Sequence, residues 1–366
     1  MSQDASGSAS AEKGLEGAAS GVASFEDERP SLLRRVQHFF HQNPTMIPAI
    51  IFVVAIAVFG AVTSGRFFAP LNLSLILTQV TIIALLGTAQ TLVIVTAGID
   101  LSVGAIMVLS SIVMGKLAVD YGVPAPIALL AGMLCGLLCG AANGLLVTRL
   151  RLPPFIVTLG TWSIFGALVT LVSNAATIRK ADIQANAPLL LQMGDRISLG
   201  AGPSGSAAGG PFLMYGSILM LGVAVVIWYM LSRTAFGRHV YAIGDDPNAA
   251  RLAGIRVNRT LVMVYTLAGL LCGIAAWVLI GRVGAVSPLG NQTANLDAIT
   301  AVVIGGTSLF GGRGSIVGTL FGALIVGVFD SGLSLTGVDP LWRQLTTGAL
   351  IIIAVSIDQW IRRISS

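Results

Sequence analysis

Ser232–Arg259 reads SRTAFGRHVYAIGDDPNAARLAGIRVNR and separates two long apolar runs, Phe212–Leu231 and Thr260–Ile280. Each run has about the 20 residues that a helix needs to cross the hydrocarbon core of a bilayer. The stretch between them holds five arginines against two acidic residues, Asp245 and Asp246. Because short loops rich in arginine stay on the cytoplasmic side of a membrane, the pattern predicts a membrane protein with this loop inside the cell.

A short helix is predicted within this loop. Asp246 suits its N-cap, Pro247 suits its first position, and Gly254 suits a left-handed residue after its end. The helix, Pro247–Ala253, would be about 10 Å long and too short to be stable unless it packs on another surface. An ordinary basic loop has the same spacing, so both interpretations stay open. The small-residue face that would permit close packing consists of Ala249, Ala250 and Ala253.

Three segments of the loop carry a family resemblance: Gly237–Gly244 (GRHVYAIG), Asn248–Ala250 (NAA) and Leu252–Ile255 (LAGI). They resemble the cytoplasmic coupling loop of bacterial ATP-binding-cassette (ABC) sugar importer permeases of the ribose, xylose and fructose class. The variant Asp245–Pro247 is most similar to fructose-import permeases, and the similarity extends over most of Leu32–Ile361. The resemblance implies an ATPase-coupling loop, residues 232–259, whose site residues would be Gly237, Arg238, Gly244, Asp246, Ala249, Ala250, Gly254 and Ile255.

The resemblance also implies a function in transport. The chain would be the membrane-spanning permease subunit of an importer that moves a monosaccharide into the cytoplasm, with fructose favoured over ribose, xylose or a similar sugar. Two permease copies would line one path, ATPase subunits would bind from the cytoplasm, and a periplasmic sugar-binding protein would bind outside. The chain itself would be no enzyme and would need no cofactor or metal. Its location would be the bacterial inner membrane, in contact with the lipid bilayer.

Composition agrees with an integral membrane protein. Of the 366 residues, 55% are hydrophobic and 10% charged, and the mean hydropathy is +0.87. A soluble domain carries about 25% charged residues. The net charge of +5 does not indicate a nucleic-acid partner, because the arginines lie mostly beside apolar runs, where membrane topology explains them.

Known catalytic and metal motifs are missing from the sequence. It contains no G-x-x-x-x-G-K-[S/T] nucleotide loop and no G-x-S-x-G nucleophile motif. The three cysteines, Cys135, Cys139 and Cys272, lie in apolar runs without histidine or acidic neighbours, and therefore predict packing residues and no metal site.

Apolar runs and arginine clusters together predict an all-α polytopic fold of about ten transmembrane helices with both termini in the cytoplasm. Residues 1–31 are predicted to be a disordered cytoplasmic tail, residues 32–366 the permease domain, and residues 173–211 a periplasmic loop. The predicted spans are Ile47–Thr63, two within Phe67–Gly115, Ile127–Thr148, Phe155–Val172, Phe212–Leu231, Thr260–Ile280, Leu296–Leu309, Ile316–Leu335 and Leu345–Trp360.

The second and third spans are separated by a predicted helix break near residues 96–104, TAGIDLSVG. Asp100 in this break has two interpretations. A carboxylate at membrane depth is costly and commonly functional, and it would then be the coupling group of a secondary transporter driven by an ion gradient. The interpretation we favour is an N-cap for a helix beginning at Leu101, since Gly98 and Ser102 suit a helix start.

Polar residues within the spans have two uses. They suit the hydroxyl groups of a sugar along a path through an otherwise apolar wall, and they also bond helices to one another in lipid. Together with the break they give the predicted path residues Gln90, Gly98, Asp100, Ser102, Gly104, Asn143, Thr161 and Trp162.

The sequence pattern of the break recurs later in the chain. Gly98–Gly104 (GIDLSVG) and Gly306–Gly312 (GTSLFGG) share the pattern G-x-[D/S]-L-x-x-G, and each follows an apolar run. An internal repeat, as in transporters built from duplicated halves, and a chance match in a glycine-rich chain both explain it.

Overall fold

The computed structural model describes residues 46–200, 210–290 and 293–339, with a few single residues from 341 to 356. Two short strands, β1 (Arg196–Ser198) and β2 (Phe212–Met214), pair antiparallel with Ile197 opposite Leu213. The helices of these ranges are α1 (Met46–Val62), α2 (Pro70–Val95), α3 (Val103–Gly115), α4 (Ala125–Leu150), α5 (Pro154–Ser173), α6 (Lys180–Asn186), α7 (Tyr215–Arg233), α8 (Ala235–Asp245), α9 (Pro247–Leu252), α10 (Val257–Val283), α11 (Ala294–Ile304) and α12 (Ile316–Leu335).

The predicted all-α polytopic membrane fold is confirmed. Seven of the described helices are long and apolar enough to cross a bilayer: α2, α3 with its π-helical extension Lys116–Asp120, α4, α5, α7, α10 and α12. The apolar helices α1 and α11 are shorter, with 17 and 11 residues. Most of the tenth predicted span, Leu345–Trp360, and all of the predicted tail lie outside the described residues, so the count of ten stays a prediction.

Helix α10 lies at the centre of the bundle, where it packs against α2, α3 and α4. Small residues allow its backbone to approach α4 closely. A Cβ atom on Gly136 would lie 3.0 Å from the backbone nitrogen of Gly273, and one on Gly140 would lie 2.9 Å from the Cα of Gly269. Such contacts are typical of helices that associate in lipid, where no hydrophobic effect drives them together.

The outer helices expose large apolar side chains. On α4 these recur at helical spacing from Ile127 to Leu145, and α5 and α7 carry similar exposed rows. A soluble monomer rarely exposes contiguous apolar surface of this kind, whereas lipid chains cover it without cost. The exposed apolar surface of these helices therefore agrees with a membrane protein.

The helix break lies where it was predicted. Helix α2 ends at Val95, and α3 does not begin until Val103. The predicted helix start at Leu101 is wrong by two residues, because the Asp100 side chain closes a turn on Ser102 before the helix begins. The segment Thr96–Ser102 therefore joins α2 to α3 without forming a helix.

The predicted periplasmic loop, residues 173–211, has its own structure in the part that is described. Helix α6 is followed by a 3-10 helix, Pro188–Gly194, and then by β1. The indole nitrogen of Trp277 on α10 donates to the Leu189 carbonyl, 3.1 Å away, and thereby ties the loop to the central helix.

Candidate functional site

The Asp100 carboxylate is buried at the start of α3. One of its oxygens accepts hydrogen bonds from the backbone nitrogen of Ser102 at 2.8 Å and from the Ser102 hydroxyl at 2.6 Å. The side-chain amide of Asn143 on α4 donates to the Ser102 hydroxyl at 2.8 Å, and lies 3.5 Å from the other carboxylate oxygen. Asp100 thus forms a turn that precedes α3 and is braced by α4.

Side chains from three helices donate hydrogen bonds to the backbone of the break. Outside a helix, backbone carbonyls that are shielded from water need other donors. Residues 99–101 present three carbonyls in a row that accept side-chain hydrogen bonds. Each accepts from a different helix: Thr158 of α5 donates to Ile99 at 3.0 Å, Gln90 of α2 to Asp100 at 2.7 Å, and Asn295 of α11 to Leu101 at 3.2 Å.

Most of the predicted path residues gather at this break. Gly98 lies against Tyr265 of α10: a Cβ atom there would be 2.8 Å from the Tyr265 hydroxyl. Gly104 lies beside the N-terminus of α11, where a Cβ atom would be 3.4 Å from the Asn295 nitrogen. Gln90, Asp100, Ser102 and Asn143 complete the group through the hydrogen bonds given above.

Two predicted path residues lie apart from the break. Thr161 is buried on α5, where its hydroxyl is 3.4 Å from the Thr158 carbonyl. Trp162 is 45% exposed on the outer surface of the same helix. Their role in a path stays a prediction, and the described contacts of the remaining set hold the break together.

Sequence reasoning missed Asn295 and Tyr265 as partners of the break. Asn295 opens an apolar run, and Tyr265 lies within one, so neither has a local signal. Both reach the break through tertiary packing alone. Among the described residues, no three His, Cys, Asp or Glu side chains lie together as a metal site would need.

The short helix of the cytoplasmic loop forms as its sequence dictates. Asp246 caps α9, since its carboxylate accepts from the backbone nitrogens of Asn248 at 2.7 Å and Ala249 at 3.1 Å. Pro247 is the first helical residue, and Gly254 follows the helix with a φ of +83°. The capping residues therefore have the geometry expected of them.

One side of α9 packs on the chain itself. Ala250 is buried against Ile243 of α8 and Val257 of α10, so the alanine face is partly used within the protein. The other side is open: Leu252 is 91% exposed, and Ala249 and Ala253 are exposed beside it. The loop of residues 232–259 also exposes its five arginines, namely Arg233, Arg238, Arg251, Arg256 and Arg259.

Comparison with known proteins gives the family. The family described as branched-chain amino acid transport system / permease component matches residues 72–355. The fructose import permease protein FrcC of Rhizobium meliloti is 52% identical over 97% of this chain and 96% of its own length. The ribose import permease protein RbsC of Bacillus subtilis is 39% identical over 84% and 90%, and the xylose transport system permease protein XylH of Escherichia coli 35% over 87% and 92%.

No solved structure matches the chain. The matched region nevertheless contains both the helix break and the loop with α9. The family match covers more than half of the chain, and the relatives are covered over nearly their whole length. The chain therefore belongs to the family of membrane transport permeases described as branched-chain amino acid transport system / permease component.

Proposed function

We propose that the chain is the permease subunit of an ATP-driven importer of a monosaccharide, and that fructose is its substrate. The relative with 52% identity along almost all of both chains is named for fructose import, and those with 39% and 35% identity are named for ribose and xylose. The sugar class is thus shared by relatives of decreasing similarity, and the choice of fructose depends on the first of them.

The open side of α9 carries the proposal for an ATPase partner. An exposed leucine in a loop that also exposes five arginines is a surface that another protein covers more readily than water does. Leu252 stands on a capped helix whose opposite side is anchored by Ala250, so the surface has a fixed position. ATPase subunits that bind here would be held directly beneath the central helix α10, which begins at Val257.

The remaining partners follow from the same proposal. A second permease copy would complete the sugar path, and a periplasmic sugar-binding protein would bind at the loop of residues 173–211. The chain would lie in the inner membrane with both termini in the cytoplasm. The arginine clusters of the sequence support this orientation.

The alternative is a secondary transporter with Asp100 as its coupling carboxylate. The relatives, which are named as import permeases of sugars, do not favour it. The hydrogen bonds of Asp100 with Ser102 also give the carboxylate a structural use in the turn. An uptake experiment separates the two proposals.

The experiment measures uptake of radiolabelled fructose, ribose and xylose in cells that lack the gene and in cells that carry it again. We expect fructose uptake to return with the gene, to continue when ionophores collapse the ion gradients, and to stop when ATP is depleted. Uptake that stops with the gradients while ATP persists would establish the secondary transporter. Restored uptake of ribose or xylose alone would support the importer and would show that its substrate is not fructose.

A pair of leucine variants tests the ATPase surface. Leu252→Asp places a charge at the centre of the open side of α9, and we expect it to abolish co-purification of the ATPase subunits. Leu289→Asp is the control, because Leu289 is 76% exposed in the segment between α10 and α11. Equal co-purification of both variants with the ATPase would show that the ATPase does not bind at the open side of α9.

A further inference from the structure

Gly244, near the end of α8, touches the backbone where α2 ends. A Cβ atom on Gly244 would overlap the carbonyl oxygen of Val95, the last residue of α2, and would lie 2.5 Å from the backbone nitrogen of Gly312. Real Cβ atoms essentially never approach within 3.0 Å of such groups. Only glycine fits here, and α8 therefore rests directly on the end of the broken helix.

The Gly312 contact brings the turn between α11 and α12 to the same place. The Gly312 nitrogen donates to the Val95 carbonyl at 3.0 Å, and the Tyr241 hydroxyl of α8 donates to the Gly314 carbonyl at 2.8 Å. Residues 305–315 join α11 to α12 and contain Gly306–Gly312, the second occurrence of the break pattern. Helix α8 thus contacts the end of α2, three residues before the first segment with the pattern G-x-[D/S]-L-x-x-G, and the last residue of the second segment, Gly312.

Helix α8 is also fixed to the rest of the loop. At its start, Thr234 caps the helix by accepting from the Gly237 nitrogen at 3.3 Å, and Gly237 packs on the backbone of Leu231. Toward its end, Ile243 packs with Ala250 of α9 and with Val257 of α10. A displacement of α9 is therefore passed to α8 through packed side chains, without a flexible linker between them.

We propose that Gly244 is a positioning residue, and that its contact with Val95 and Gly312 transmits movement of the cytoplasmic loop to the end of α2 and to the turn before α12. The inference rests on the proposed function, in which ATPase subunits move α9. When α8 shifts, the end of α2 and the turn before α12 shift with it. The break beyond Val95 is bonded to α5 and α11 through residues 99–101, so the same movement reaches those helices.

The first test is Gly244→Ala. The added Cβ atom has to push α8 away from Val95, while the exposed side of α9 stays unchanged. We expect normal membrane insertion and normal co-purification of the ATPase, with sugar uptake per ATP hydrolysed reduced about tenfold, a typical size for coupling between sites. The matched control is Gly222→Ala on α7, where no atom lies within 4 Å of the added Cβ, and it should leave the ratio unchanged.

The second test adds no volume. Tyr241→Phe removes only the hydroxyl that donates to Gly314, and we expect the ratio of uptake to hydrolysis to fall about threefold, as for the loss of one hydrogen bond. A purely structural role would lower insertion, assembly and uptake together, and would leave this ratio at the wild-type value.

The outcomes separate the inference from the proposed function. Wild-type protein that never binds an ATPase would overturn the proposed function. Normal assembly with a wild-type ratio in Gly244→Ala would overturn the inference alone. If Gly244→Ala does not insert, Tyr241→Phe decides: a reduced ratio supports transmission through α8, and an unchanged ratio refutes it.

Discussion

The side-chain amide of Gln90 donates to the backbone carbonyl of Asp100, 2.7 Å away, so α2 supports the turn that follows its own end. Both groups are fully buried. A buried carbonyl that loses its donor has to remain unpaired, which makes this bond more important to stability than an exposed one. The first prediction follows from this relationship.

Gln90→Leu should lower the stability of the protein by about 1–3 kcal/mol, since it leaves the Asp100 carbonyl without its donor. Thermal unfolding of the detergent-purified protein measures the change. Gln192→Leu, at an exposed position of the 3-10 helix Pro188–Gly194, is the control and should stay within about 0.5 kcal/mol of wild type. Equal melting temperatures for the two variants would contradict the importance of the bond.

Asp100→Asn should retain most of the transport activity. The asparagine oxygen still accepts from the Ser102 nitrogen and so preserves the turn before α3. Asp100→Leu has no acceptor, and should lower both stability and uptake. A variant Asp100→Asn that inserts and assembles normally but transports nothing would show that the charge itself is required.

Asp246→Ala should weaken α9 by about 1 kcal/mol, because the backbone nitrogens of Asn248 and Ala249 lose their acceptor. A frayed α9 presents Leu252 less firmly, so the yield of co-purified ATPase should fall. Asp245→Ala removes the same charge one residue earlier without removing the cap, and it should bind the ATPase normally. A matching loss in both variants would mean that negative charge, and not the cap, matters.

Gly254→Val should destabilise the loop by about 1–2 kcal/mol, since a β-branched residue resists the left-handed conformation that Gly254 adopts. No atom lies within 4 Å of the position that its Cβ would take, so the effect comes from the backbone alone. Gly254→Asn should be tolerated better, because asparagine enters this conformation more easily. Sugar uptake and ATPase co-purification measure both variants, and equal behaviour would argue against the backbone explanation.

Cysteine labelling tests the membrane orientation. In intact cells, an impermeant reagent should label Ser204→Cys in the predicted periplasmic loop and should not label Ser232→Cys before α8. The reverse result would place the loop of residues 232–259 outside the cell. A cytoplasmic ATPase could then not bind at α9, and the proposed ATPase surface would be wrong.

The spans and the loop helix were predictable because their signals are local. About 20 apolar residues in a row specify a membrane helix, and the arginines beside them predict its orientation. The cap at Asp246 and the left-handed Gly254 depend on neighbouring residues alone, and both took the expected geometry. The start of α3 was harder to predict, since Asp100 bonds Ser102 in a turn that competes with the first helical residues.

The contacts of the site were not predictable in the same way. Asn295 reaches Leu101 from 194 residues away, and Gly244 meets Val95 through helix packing that leaves no periodicity in the sequence. A polar residue in an apolar run shows that a partner is needed but does not identify it. Gln90 and Asn143 were therefore chosen for the right chemistry, while their partners in the break came from the structure.

The row of three bonded carbonyls at residues 99–101 has a consequence for biogenesis. Ribosomes deliver Gln90 before the break and Thr158 soon after it, but the donor for Leu101 is synthesised 194 residues later. Until α11 packs against the break, the Leu101 carbonyl lacks the donor that it has in the folded protein. The break early in the chain therefore waits for a residue made much later, and a chain truncated before Asn295 cannot complete it.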